Sequence, residues 1–319
     1  MTTAPPATAV APAPPAAAPT GPAPRPAVRR VTLDAGGLTL SALLAEPVDR
    51  APRAAVVALH GGGMSAGYFD ARAHPDQSLL GLGARLDYTV LAVDRPGYGD
   101  SAGVLPEGLG LDEQSARLNA ALDDFTRRHD TGAGLLLLAH SYGGKLALTA
   151  AAHDREPGPE QQGRRLLGLD VSGLGHRYAA PPEELPDDRG HGHWTRNWGK
   201  LRLYPPGTFR ESDNLVAPMP VRERAEAPHW PDRFASLAAR IRVPVRLTFA
   251  EHETWWRHDD TALSDLRNRL AAAPRVVVDR MPGAGHNISL GWAARSYHLR
   301  ALGFLEECLA LRECAPTGR

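Results

Sequence analysis

The pattern of this chain predicts an α/β fold, a mostly parallel central sheet flanked by helices. Short apolar runs alternate with stretches of helical spacing, which is the rhythm of a parallel sheet covered on both faces. One run, Leu135-Leu136-Leu137-Leu138, feeds into a tight turn, Ala139-His140-Ser141-Tyr142-Gly143-Gly144, and then into helix-like sequence from Lys145. A single interval, from about His176 to Arg242, is polar, proline-rich and irregular, and breaks the rhythm.

Residues 1–29 are almost all Ala, Pro and Thr and read as a disordered, partly polyproline-II tail. They carry no early positive charge, and prolines interrupt any apolar stretch, so they do not read as a signal peptide. Val28–Leu33 and Leu38–Leu44, separated by Asp34-Ala35-Gly36-Gly37, read as a hairpin. Ala54–Leu59 is a short apolar strand ending at His60-Gly61-Gly62-Gly63. Ser78–Leu86 reads as a helix. Tyr88–Val93 is a second buried strand, ending in Asp94-Arg95-Pro96-Gly97-Tyr98-Gly99. Leu111–Arg128 places Leu118, Leu122 and Phe125 at helical spacing. Beyond the serine turn, Leu166–Val171, Val243–Phe249 and Val276–Val278 are further strands, and Gly291–Leu311 is a closing helix. The core therefore spans 30–175 and 243–314. A structureless loop as long as 176–242 is uncommon inside a compact domain. The interval is expected to be a lid inserted between the sixth and seventh strands, over the strand ends.

Composition narrows the classes. With 319 residues and 43% hydrophobic content, the chain suits one large domain or a domain with an inserted lid. Folding at this length buries roughly three quarters of the chain's surface, so the core needs no staples. The formal net charge is zero, which offers no bulk attraction to nucleic acid or an acidic membrane. No apolar stretch approaches the roughly 20 residues of a membrane span, and a cytoplasmic location is expected. Cys308 and Cys314, six apart on one helix, face different directions at about 9 Å of rise and are expected to be free thiols. Arginine far outnumbers lysine, and only Lys145 and Lys200 are present.

The serine turn is close to G-x-S-x-G, with Ala139 in place of the first glycine. Strand, sharp turn and helix together lift one hydroxyl out of a packed sheet. A serine is a weak nucleophile until a base takes its proton. A plain helix cap is the other reading of Ser141, but caps need neither flanking small residues nor a preceding apolar strand. His286 follows the last strand on a glycine-rich stretch, Gly283-Ala284-Gly285, flexible enough to bring an imidazole beside the serine. The glycines of His60-Gly61-Gly62-Gly63 let backbone N–H groups approach a developing negative oxygen. A phosphate loop is a poor fit, because no G-K-[ST] follows. Asp94 and Arg95 read as pins for the turn at Pro96, and His140 as a packing residue. His191 and His193, with no cysteine near, are too few ligands for zinc. With Trp194 they form either an aromatic wall for substrate or plain filler. Trp255 and Trp256 either line a pocket or pack in the core.

Taken together, the His60-Gly61-Gly62-Gly63 loop, the Asp94–Gly99 turn, the serine turn and an acid followed by His286, in that chain order, resemble the α/β-hydrolase fold. The resemblance covers roughly residues 30–312 and weakens across 176–242. It implies a chain order of nucleophile, acid and histidine. Family members often carry G-E-H-D where this chain has Ala250-Glu251-His252-Glu253, so the resemblance implies Glu253 as the acid, with Glu251 or Asp170 as alternatives. It also implies an oxyanion hole formed by the N–H groups of Gly62, Gly63 and Tyr142. A serine at the apex argues against dehalogenase or epoxide hydrolase chemistry, for which the family uses a carboxylate. The implied activity is a serine hydrolase cleaving a carboxylic ester through an acyl-enzyme, with Ser141, His286 and Glu253 as triad and no metal or organic cofactor. The alternatives are a thioesterase acting on a carrier protein, an acyltransferase or cyclase in natural-product biosynthesis, a lyase using the same triad, or a non-catalytic ligand-binding relative.

Overall fold

In the computed structural model, which describes residues 26–154, 163–186, 194–211 and 215–314, eight strands form one sheet. They are β1 (Arg29–Asp34), β2 (Thr39–Ala45), β3 (Ala54–Leu59), β4 (Tyr88–Val93), β5 (Leu135–His140), β6 (Leu166–Ser172), β7 (Val245–His252) and β8 (Val276–Gly285). Their spatial order is β1-β2-β4-β3-β5-β6-β7-β8. Strand β2 runs antiparallel to both β1 and β4, and every other neighbouring pair is parallel.

Helices cover both faces of the sheet. Val57 and Leu59 of β3 point to one face, among residues of α2 (Leu111–Arg128), α3 (Tyr142–His153), α7 (Trp230–Leu237) and α8 (Asp260–Arg269). Val56 and Ala58 point to the other, among residues of α1 (Leu79–Arg85) and α9 (Ala294–Glu313). Both sides of β3 are thus buried, which is why its sequence is a continuous apolar run rather than an alternating one. Helix starts follow local chemistry. Ser78 Oγ accepts from the Gly81 N–H at the start of α1, and Asp259 Oδ1 from the Ala262 N–H at the start of α8.

Several bounds differ from the sequence expectation. Helix α3 starts at Tyr142 rather than Lys145, directly after the serine. Strand β8 continues through Gly285, which pairs with His252 beyond a register shift, so the stretch before His286 belongs to the sheet rather than to a flexible loop. Strand β7 extends to His252, and α9 begins at Ala294. Among the described residues, the interval between β6 and β7, irregular in sequence, carries four short α-helices: α4 (Trp194–Trp198), α5 (Thr208–Glu211), α6 (Val221–Glu226) and α7. The first three are too short to display a 3.6-residue period, while α7 buries Trp230, Phe234 and Leu237 on one face and is tied down by Trp230 Nε1 to Gly175 O (2.8 Å). Cys308 is buried, Cys314 exposed, and both are free. Among the described residues no helix is long and apolar enough to cross a membrane. Residues 1–25 of the expected tail, together with His191 and His193, lie outside the described residues.

Candidate active site

Ser141 sits where β5 ends and α3 begins, with φ 50° and ψ −115°. A positive φ is costly for a residue with a Cβ, and such conformations persist only where the surroundings enforce them. Here the Ser141 N–H donates to Ser172 O at 2.8 Å, and its carbonyl accepts from the Gly144 N–H at 2.9 Å. The turn also demands glycine at 143. A Cβ there would lie 2.3 Å from Leu59 O and 2.5 Å from His60 O, so only hydrogen fits between α3 and β3. The serine side chain makes no capping bond to its helix, which leaves Oγ available.

Two adjacent parallel strands supply the partners. His252 of β7 pairs with Gly285 of β8, so the next residues, Glu253 and His286, emerge side by side at the same sheet edge. His286 Nδ1 lies 2.8 Å from Glu253 Oε2, and His286 Nε2 lies 3.2 Å from Ser141 Oγ. Glu253 Oε1 also accepts from the Trp255 N–H at 2.9 Å. Burial alone pushes the Glu253 carboxyl up, but the adjacent His286 ring and the Trp255 N–H outweigh it and hold the group below its ordinary value. The other two carboxylates considered are engaged elsewhere. Glu251 is exposed and accepts from the Gly283 N–H at 2.7 Å. Asp170 is buried against Arg246 (2.6 Å) and Tyr297 Oη (3.1 Å). His140 packs behind the site, stacked on Tyr68 at 4.8 Å and 4.8 Å from the His286 ring. Burial, and then His286, push its pKa well down, so it is neutral.

The loop at 60–63 is held from beneath by a buried network. The Arg95 N–H donates to His60 Nε2 (3.1 Å), while His60 Nδ1 lies 2.8 Å from Gly61 O, which defines a neutral ring with its proton on Nδ1. Arg95 Nε donates to His60 O (2.8 Å) and Nη2 to Gly61 O (3.2 Å). Its guanidinium pairs with Glu223 of α6, and Gln114 Nε2 donates to the same carboxylate. The expectation for Gly63 needs correction. Its N–H donates to Tyr98 Oη at 3.1 Å, and that hydroxyl donates to Glu223 Oε2 at 2.7 Å. Gly63 is therefore a structural donor, and Gly62 and Tyr142 remain as candidates for the oxyanion. The Tyr142 N–H is among the first of α3, and such groups lack intrahelical partners.

Ser141, Gly62 and Tyr142 line one cavity of about 90 Å³ with Lys145, Trp255 and Trp256. Asn197, Met219 and Ala227, from the segment between β6 and β7, complete part of its wall. Trp194 does not reach it: the ring is half-exposed and packs near Trp198 and Phe209. Among the described residues no group of three or more His, Cys, Asp or Glu is placed to hold a metal ion. Sequence reasoning missed Tyr98, Glu223 and the placement of Lys145. Only the last left a signal, as one of two lysines in the chain, set in an otherwise apolar helix.

An eight-stranded sheet with one antiparallel strand near its edge, and a serine, a histidine and a carboxylate in contact at the strand ends, defines an α/β-hydrolase architecture. The model of the alpha/beta hydrolase family matches residues 56–295, and the chain belongs to that family. No curated protein sequence matches it significantly. Among solved structures it is similar to a thermostable carboxyl esterase from Bacillus coagulans (16% identity, TM-score 0.61, covering 89% of this chain and 98% of that one). It is also similar to a peroxisomal α/β-hydrolase from Saccharomyces cerevisiae (13% identity, TM-score 0.59, 90% of each chain). The thioesterase domain of the curacin biosynthetic pathway matches at 15% identity and TM-score 0.56, over 86% of this chain and 99% of that domain. At these identities the likeness concerns the fold.

Proposed function

We propose that this protein is a serine hydrolase that cleaves short carboxylic esters through an acyl-enzyme. The observation that carries the reading is the continuous contact Ser141 Oγ–His286 Nε2 (3.2 Å) and His286 Nδ1–Glu253 Oε2 (2.8 Å). His286 takes the Ser141 proton as Oγ attacks the carbonyl carbon. The Gly62 and Tyr142 N–H groups receive the negative oxygen. The tetrahedral adduct collapses, His286 returns the proton to the departing alkoxide, and the alcohol leaves. Water then repeats the sequence at the acyl-enzyme and frees the acid. Glu253 orients the imidazole and balances its charge. The segment 176–242 acts as a lid, a reading supported by the cavity wall that Asn197, Met219 and Ala227 provide. A cavity of about 90 Å³ suits short acyl groups.

The test is hydrolysis of p-nitrophenyl acetate and butyrate, run beside the matching thioesters. Turnover by the native chain and a loss of about 10⁴-fold or more in Ser141→Ala is expected. Equal turnover by the variant would remove the serine from its role. Faster cleavage of the thioesters would move the assignment to a thioesterase.

A further inference from the structure

The cavity that Ser141 lines also holds a basic side chain that ester hydrolysis alone does not require. Lys145 lies four residues after Ser141, one helical turn along α3, and lines the same cavity. It is only 4% exposed. Its Nζ donates to Tyr178 Oη (3.1 Å) and to Ala227 O (3.3 Å), and Tyr178 Oη itself donates to Ala227 O (2.6 Å). Four rings surround it, with centroids at 5.3 Å (Tyr142), 5.7 Å (Trp230 and Trp256) and 5.8 Å (Tyr178). Ring faces attract a cation but supply no negative charge. Among the described residues Lys145 forms no ion pair. The carboxylates that bear on it belong to Glu223 and Glu226 of α6, and both are engaged by other groups. Glu223 serves Arg95, Tyr98 and Gln114, and Glu226 accepts from the Leu111 N–H and Tyr142 Oη.

An ammonium has three donors, and two are used here. Burying a cation without a paired anion is unfavourable, and a methionine or leucine would line an apolar acyl pocket at lower cost. We propose that Lys145 is a specificity residue, and that the site takes an acyl substrate bearing a carboxylate a short chain away from the scissile carbonyl. The inference rests on the hydrolase reading above. The carboxylate accepts the third N–H and completes the pairing that the protein itself leaves open. Burial pulls the lysine down to about 7, with Glu223 and Glu226 opposing it, and an anion brought beside it strengthens its hold on the proton.

The experiment compares p-nitrophenyl esters whose acyl chains end in a carboxylate with equally long chains ending in a methyl group. The native protein should favour the carboxylate series at least tenfold in kcat/KM. Lys145→Met should lower that ratio at least tenfold, Lys145→Gln should behave alike, and Lys145→Arg should keep part of the preference. Thermal unfolding of each variant confirms that it is folded. In parallel, calorimetry should show glutarate binding the native protein at least tenfold more tightly than Lys145→Met. An unchanged ratio in the variants, or a native protein that hydrolyses both series equally and does not bind glutarate, overturns the proposal. If neither ester series is cleaved but glutarate binding depends on Lys145, the lysine site stands and the hydrolase reading falls.

Discussion

Truncating Glu223 to alanine should destabilise the protein by about 3–5 kcal/mol. Glu223 and Arg95 are both fully buried, and the carboxylate also receives Tyr98 Oη and Gln114 Nε2. Removing one partner of a buried ion pair leaves the other charge uncompensated, which typically costs about 3–5 kcal/mol. The losses at Tyr98 and Gln114 belong to the same network and do not add independently. Burial disfavours the charge on Arg95 and Glu223 is the largest influence opposing it, but a guanidinium is not deprotonated in proteins, so the truncation leaves a buried cation without its counter-ion. The assay is urea unfolding of the native chain, Glu223→Ala, Arg95→Met and the double variant. The double variant should be more stable than Glu223→Ala, with a coupling of about 1.5 kcal/mol or more. Turnover should fall as well, because Arg95 anchors the carbonyls of His60 and Gly61, beside Gly62. A cost below about 1 kcal/mol with no coupling would show that the pair does not hold the loop as described.

Two further predictions concern the site. Glu253→Gln should lower kcat by about 10³-fold or more, by the logic of a misoriented imidazole, while Glu251→Gln should stay within about threefold of native; steady-state kinetics on one ester decides between them. The pH dependence of the carboxylate-to-methyl ratio in kcat/KM should follow Lys145. Its pKa is lowered to about 7, so the cation is present below that pH, and the ratio should be high there and fall as pH rises through about 7. Glu223 and Glu226 on α6 oppose that fall, while Tyr142 and Tyr178, whose pKa values burial raises, stay neutral. A flat ratio would contradict the assignment.

The strands were legible because both faces of the sheet are covered. Ala54–Leu59 is apolar throughout and Tyr88–Val93 apolar apart from Thr89, and their ends carry polar or glycine-rich turns, so their bounds agree with the structure residue for residue. Between β6 and β7, α4, α5 and α6 span only four to six residues and give no periodic signal, whereas α7 places Trp230, Phe234 and Leu237 at helical spacing, which the reading of the interval as irregular passed over. The approach of the acid and the histidine was readable from motif order, but separating Glu253 from Glu251 needed the register of β7 against β8. Gly63 misled because the direction of its N–H depends on Tyr98, thirty-five residues away and anchored by Glu223. No local pattern in the sequence links those three positions. For Trp194 the sequence left a substrate wall and plain filler both open, and its ring, packed near Trp198 and Phe209, fits the second.

Whether an alcohol at the strand edge is made reactive by its two neighbours can be read most directly with a fluorophosphonate. The reagent should attach to a single residue, and peptide mapping should find it on Ser141. His286→Ala should slow labelling by several orders of magnitude, because no imidazole then accepts the proton. Labelling at full rate without that imidazole, or modification confined to other residues, would contradict the account.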